Sequence, residues 1–218
     1  MSVDLAFILV HAVGFVLHRA GLTAQLPTML WISQDGALPE DFNYLKWAVI
    51  VVALFWLAIR DRWITAFSWA LVFLLILLDD SLQIHETFGV LIADYEGFSG
   101  HFMIDPSDMG ELVVFGAMGF SVVLLTGLSF LRGSQRSRYM GATYAIVILL
   151  LAFFGVGMDA FHQAIAHVAE THPSLSILRH VFGMVEDGGE MVVASLAAAF
   201  TLAPPKWFAS SEAGALAA

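Results

Sequence analysis

The sequence predicts an all-α integral membrane protein of six transmembrane helices, paired as three hairpins. Three observations lead there. Hydrophobic residues make up 59% of the 218-residue chain and charged residues only 13%, where a soluble domain is nearer half apolar and a quarter charged. The apolar residues gather into six runs, approaching the roughly 20 residues that a helix needs to cross a bilayer. The connections between those runs alternate in charge.

The first run, about Val3 to Ala20, is interrupted by His11 and closed by His18-Arg19. Met1-Ser2-Val3-Asp4 lacks the basic start of a signal peptide, so this run reads as a retained helix. The second, about Phe42 to Ile59, ends at Arg60-Asp61-Arg62. The third, about Trp63 to Leu78, carries no charge before Asp79-Asp80 and reads as helical past His85-Glu86. The fourth spans about Gly110 to Leu131. Asp105-Pro106-Ser107-Asp108 ahead of it is a helix start, with Asp105 as N-cap, proline at N1 and an acid at N3. The fifth, about Tyr139 to Met158, runs on to Asp159 and His162. The sixth, about Met191 to Ala203, is stopped by Pro204-Pro205. The whole reads as one transmembrane domain: a first hairpin over 1–62, two more over 63–138 and 139–205, and a flexible tail over 206–218.

Charge placement orients the helices. Arg60, Arg62, Arg132, Arg136, Arg138 and Lys206 fall on one side, and Arg19, Lys46 and Arg179 on the other. The positive-inside rule puts the larger group, with both termini, in the cytoplasm of a plasma (inner) membrane. The acidic, histidine-rich connections then face outward. The formal net charge of −10 and the lack of a basic stripe argue against nucleic acid as a partner. With no cysteine, the chain has no disulfide, iron–sulfur cluster, thiolate zinc site or cysteine nucleophile.

An offset of 79 residues lays the third hairpin on the second. Asp80 meets Asp159, His101 meets His180, Asp108 meets Asp187, Gly110 meets Gly189 and Glu111 meets Glu190, within a twice-used Asp-x-Gly-Glu-[Leu/Met]-Val-Val. Both copies run the same way through the membrane, which makes them parallel repeats of the kind that some transporters use.

The candidate site follows from this pairing. Asp108 and Glu111 share one helix face, and so do Asp187 and Glu190. Asp80 lies 17 residues past Trp63, about 25 Å along a helix. That is near the outer edge of the hydrocarbon, where an ionised carboxylate needs a partner, water or a metal. Asp80, His101, Asp108, Glu111, Asp159, His162, His180, Asp187 and Glu190 are the expected metal ligands, with His85 and Glu86 as acid–base groups. Histidines plus carboxylates on facing helices suit di-iron bundles, and also zinc with an open position. Plainer accounts stand beside these. Acids in a first turn suit the helix dipole, which covers Asp108 and Asp187. His11 reads as a packed helix histidine, and His167, Glu170 and His172 as solvated loop residues.

The expected function is a membrane enzyme using one or two divalent metal ions, zinc or iron, to activate water for hydrolysis of a lipid-like substrate or, with iron, to activate oxygen. Three alternatives remain open. One is a transporter or channel for protons or small cations. Another is a haem- or pigment-binding subunit with axial ligands such as His18, His85 and His162. The last is an accessory part of a larger complex. Membrane lipid is the one partner that composition itself implies.

Overall fold

The computed structural model describes residues 1–99, 105–171 and 176–204. Among these every regular element is helical. In chain order they are α1 (Ser2–Arg19), a short 3-10 turn at Thr28–Leu30, α2 (Leu38–Asp61), α3 (Ile64–Leu82), α4 (Ile84–Glu96), α5 (Pro106–Arg132), α6 (Gln135–Ala152), a π-helical turn (Phe153–Met158), α7 (Asp159–Thr171) and α8 (Ser176–Leu202). The expected tail and His101 lie outside the described residues.

Among the described residues, five helical stretches are long and apolar enough to cross a membrane: Ser2–Arg19, Leu38–Asp61, Ile64–Leu82, Pro106–Gly127 and Gln135–Ala166. The expected sixth, α8, has the length at 27 residues. Glu186, Asp187 and Glu190 lie within it, however, and shorten its uncharged apolar part. Bare apolar surface fits such spans. Val52, Trp56 and Ile59, spaced by a turn along α2, are 68%, 64% and 74% exposed, and water would penalise a stripe of this kind.

Two breaks depart from the expected continuous helices. The third run is helical past Glu86 as expected, but not as one helix: α3 stops at Leu82, Gln83 takes a left-handed conformation at φ 49°, and α4 starts afresh at Ile84. The fifth run passes through the π-helical turn before Asp159. The start of α5 matches expectation, with Pro106 at N1 and a reciprocal capping box between Asp105 and Asp108.

The chain divides into two compact units. The first contains residues 1–45, 149–171 and 176–196, and the second residues 46–99, 105–148 and 197–204. The second has an aromatic core. Trp47, Ile50, Leu54, Trp69, Phe73, Met140 and Tyr144 are each at most 2% exposed. The Tyr144 hydroxyl meets Thr201 Oγ1 at 2.8 Å, so its burial leaves no orphan polar atom. Ser137 accepts hydrogen bonds from Trp63 Nε1 and Thr65 Oγ1 at 2.9 and 3.0 Å, tying α6 to the start of α3. In the first unit the buried groups are more polar. Asp4 is wholly buried on α1 and accepts the Ser195 hydroxyl of α8 at 2.6 Å.

Candidate metal centre

Asp159 opens α7 directly after the π-helical turn, and His162 follows one helical turn later, so both side chains leave the same face. Glu186 faces them from α8. One ligand atom from each of the three lies within 4.8 Å of the others, and all three residues are half-buried. Around a tetrahedral ion with bonds of about 2.1 Å, ligand atoms stand about 3.4 Å apart. Small side-chain adjustments would close the set on an ion. The His162 Nδ1 to Glu186 Oε2 contact is 3.0 Å.

Local sequence explains the approach. Gly183 is one turn before Glu186, and a Cβ there would come within 3.2 Å of His162 Cε1. The missing side chain lets the imidazole lie on α8. Gly155, inside the π-helical turn, performs the same service for Glu190: a Cβ on it would overlap the Glu190 carboxylate. Helical turns of this wider kind are frequent at functional sites. Asp187 takes a hydrogen bond from the Ser33 hydroxyl. His180, two turns before Asp187, meets His11 on α1, Nε2 to Nε2 at 3.0 Å.

The second unit holds another histidine among acids. Gly110 and Gly89 bring α5 and α4 into backbone contact, since a Cβ on Gly110 would overlap the Gly89 carbonyl. This crossing sets Glu111 against Gly89 and lays the His85 ring on Phe115, centroids 5.0 Å apart. Asp79 reaches across the α3–α4 break with both oxygens. Oδ1 accepts the His85 backbone N–H and Oδ2 contacts His85 Nδ1, each at 3.0 Å. Burial lowers the His85 pKa. The hydrogen bond and charge of Asp79, with Glu111 and Glu86 nearby, outweigh it and leave the net pKa raised. Glu86 Oε1 is 3.9 Å from His85 Nε2.

The expected ligands thus divide. Asp159 and His162 join one cluster, with Glu190, Asp187 and His180 on the helix that supplies Glu186. Glu111 lies in the His85 cluster. Asp80 accepts the Trp47 indole N–H at 3.2 Å. Asp108 takes part in the capping box of α5, with the Asp105 N–H 3.4 Å from its Oδ2. Three residues were not expected at a site: Glu186, Asp79 and His11. Glu186 could have been found from its i,i+4 spacing to Glu190. Asp79 carries no separate signal beside Asp80, because helical phase decides which of the two adjacent acids meets His85.

Residues 6–203 match the family model described as Domain of unknown function (DUF8692), and the chain belongs to that family. Nothing among the curated proteins or the solved structures matches it.

Proposed function

We propose that this member of the DUF8692 family is a polytopic membrane enzyme that holds a divalent metal ion between Asp159, His162 and Glu186. The convergence of those three ligand atoms from α7 and α8 is the observation that supports it. One imidazole and two carboxylates form a donor set suited to zinc, iron or manganese. An ion held by three protein groups keeps a position open for water, whose pKa it lowers. Glu190 and Asp187, i+4 and i+1 from Glu186, are the next ligands in this reading. The substrate is lipid-like, because the apolar chain would meet it within the bilayer. Six spans in three hairpins, hairpins two and three as parallel repeats, both termini in the cytoplasm of the plasma membrane and an outward-facing site complete the proposal.

One observation favours a second reading. The Asp79–His85 contact, with Glu111 and Glu86 nearby, lies outside the Asp159–His162–Glu186 set, and an acid–base group of this kind also suits proton or cation handling.

The test is elemental analysis of the purified full-length protein, prepared in detergent without chelators. Zinc, iron or manganese in stoichiometric amount, lost from His162→Ala and Glu186→Gln, is the expected result. A metal-free wild type would overturn the metal reading and leave the proton- or cation-handling one.

A further inference from the structure

His11 is 1% exposed on α1 and uses both ring nitrogens. Its Nδ1 accepts the Ile32 backbone N–H at 3.2 Å. A backbone amide can only donate, so Nδ1 carries no proton and the proton of the neutral ring sits on Nε2. That Nε2 faces His180 Nε2 at 3.0 Å, with the two ring planes within 13° of parallel and their centroids 4.9 Å apart. His11 therefore donates, and His180 Nε2 accepts. The proton of the neutral His180 ring is then left on Nδ1. An imidazolium on either ring would set two N–H groups, or an N–H and the Ile32 amide, against each other, so both rings are neutral while the contacts hold. Phe15 stacks on the His180 ring with centroids 3.6 Å apart, and the Trp31 ring packs edge-on to His11 at 5.5 Å. These aromatic contacts restrain both rings.

His180 is also placed for the cluster. It precedes Gly183 by three residues and Glu186 by six on α8, and Gly183 is where the His162 ring rests. From this geometry we propose that His11 is a positioning residue that holds His180 as the Nδ1-protonated tautomer, a neutral hydrogen-bond donor to an oxygen at the metal cluster rather than a metal ligand. A metal needs an unprotonated nitrogen, and His180 has its only one occupied by His11. Its Nδ1–H suits an oxygen acceptor, such as the metal-bound water or a carbonyl or phosphoryl oxygen of substrate. The donor role rests on the proposed metal site; the tautomer does not.

The experiment is nitrogen-15 NMR of histidine-labelled full-length protein in lipid nanodiscs, paired with metal analysis. In wild type, His11 should show a protonated Nε2 and His180 a protonated Nδ1 with an unprotonated Nε2. His11→Ala should move the His180 nitrogens toward the averaged positions of a tautomer mixture. His11→Gln, whose side-chain amide can donate from near the same place, should restore them. Bound metal should be unchanged in all three. A wild-type His180 with an unprotonated Nδ1 overturns the proposal without any variant. So does loss of metal from a folded His11→Ala comparable to that from His162→Ala, which would make the two imidazoles a ligand pair. If wild type is metal-free but the tautomers are as stated, the metal reading and the donor role fail together and the tautomer assignment stands.

Discussion

Both units bring a histidine onto a carboxylate at 3.0 Å, yet the two acids stand in different relations to their helices. Asp79 comes from the end of α3. One of its oxygens takes the His85 N–H, a free donor in the first turn of α4, so this carboxylate closes a helix start as well as holding the ring. Glu186 comes from the interior of α8, where backbone groups are satisfied by the helix itself. It has no capping duty. Its carboxylate meets His162 on a separate helix, and Asp159 joins them. A histidine–carboxylate contact at a helix end can be explained by architecture alone. The same contact made by an acid in a helix interior, as Glu186 is, has no capping purpose, and it is there that a ligand site is the better account.

The largest expected effect comes from replacing each acid with its amide. Glu186→Gln is expected to abolish metal binding at the proposed site, and Asp79→Asn to leave metal content unchanged, as read by elemental analysis of matched preparations. Equal loss from both would erase the distinction.

Next in size is an effect on packing. Gly110→Ala in the second unit would force α5 away from the Gly89 carbonyl, and a backbone cannot yield as a side chain can. Destabilisation of about 3 kcal/mol is expected, the upper end for overpacking. Gly116→Ala on the same helix meets open space and should be harmless. Thermal unfolding in detergent compares them. Gly155→Ala in the first unit meets only the Glu190 side chain, which can swing away, and should be the milder of the two close approaches.

A smaller effect separates the acids by stability. Asp79→Ala removes a helix-start acceptor and should cost about 1 kcal/mol. Glu186→Ala removes the His162 contact but no helix-start acceptor, and should cost less, about 0.5 kcal/mol, in metal-free protein. The same unfolding measurement reads both.

The smallest effect is in pH. His85 has its folded pKa raised above the ordinary value, so its contribution to stability is fully present below about pH 6.5, the ordinary histidine pKa. That contribution is lost as pH rises through the folded value. Unfolding midpoints measured across this window should fall as pH rises in wild type and flatten in Asp79→Asn.

Much of the architecture was legible because lipid imposes a simple rule: spans must be apolar and helical, and both properties are written locally. The capping box at Asp105–Asp108 was legible for the same reason, since N-cap, proline and acid are neighbours in sequence. The Asp159–His162–Glu186 cluster was legible only in part. Asp159 and His162 stood out as polar residues closing an apolar run. The repeat, however, drew attention to positions matched in both hairpins, and the residues that complete each cluster are unmatched. At the offset of 79, Glu186 falls on Ser107 and Asp79 on Met158. Pairing the hairpins thus favoured Asp80, which binds the Trp47 indole, over the adjacent Asp79, which binds His85.

By itself the sequence determined that this chain is helical, apolar enough for a bilayer and acidic at particular helix ends, because propensity, hydropathy and charge are properties of residues and their near neighbours. Tertiary structure alone decided which acid met which histidine. A step of one residue turns a side chain by about 100° around a helix. The breaks at Gln83 and at Phe153–Met158 reset that phase, and glycines at 89, 110, 155 and 183 decide where helices come close enough for a carboxylate to reach a ring.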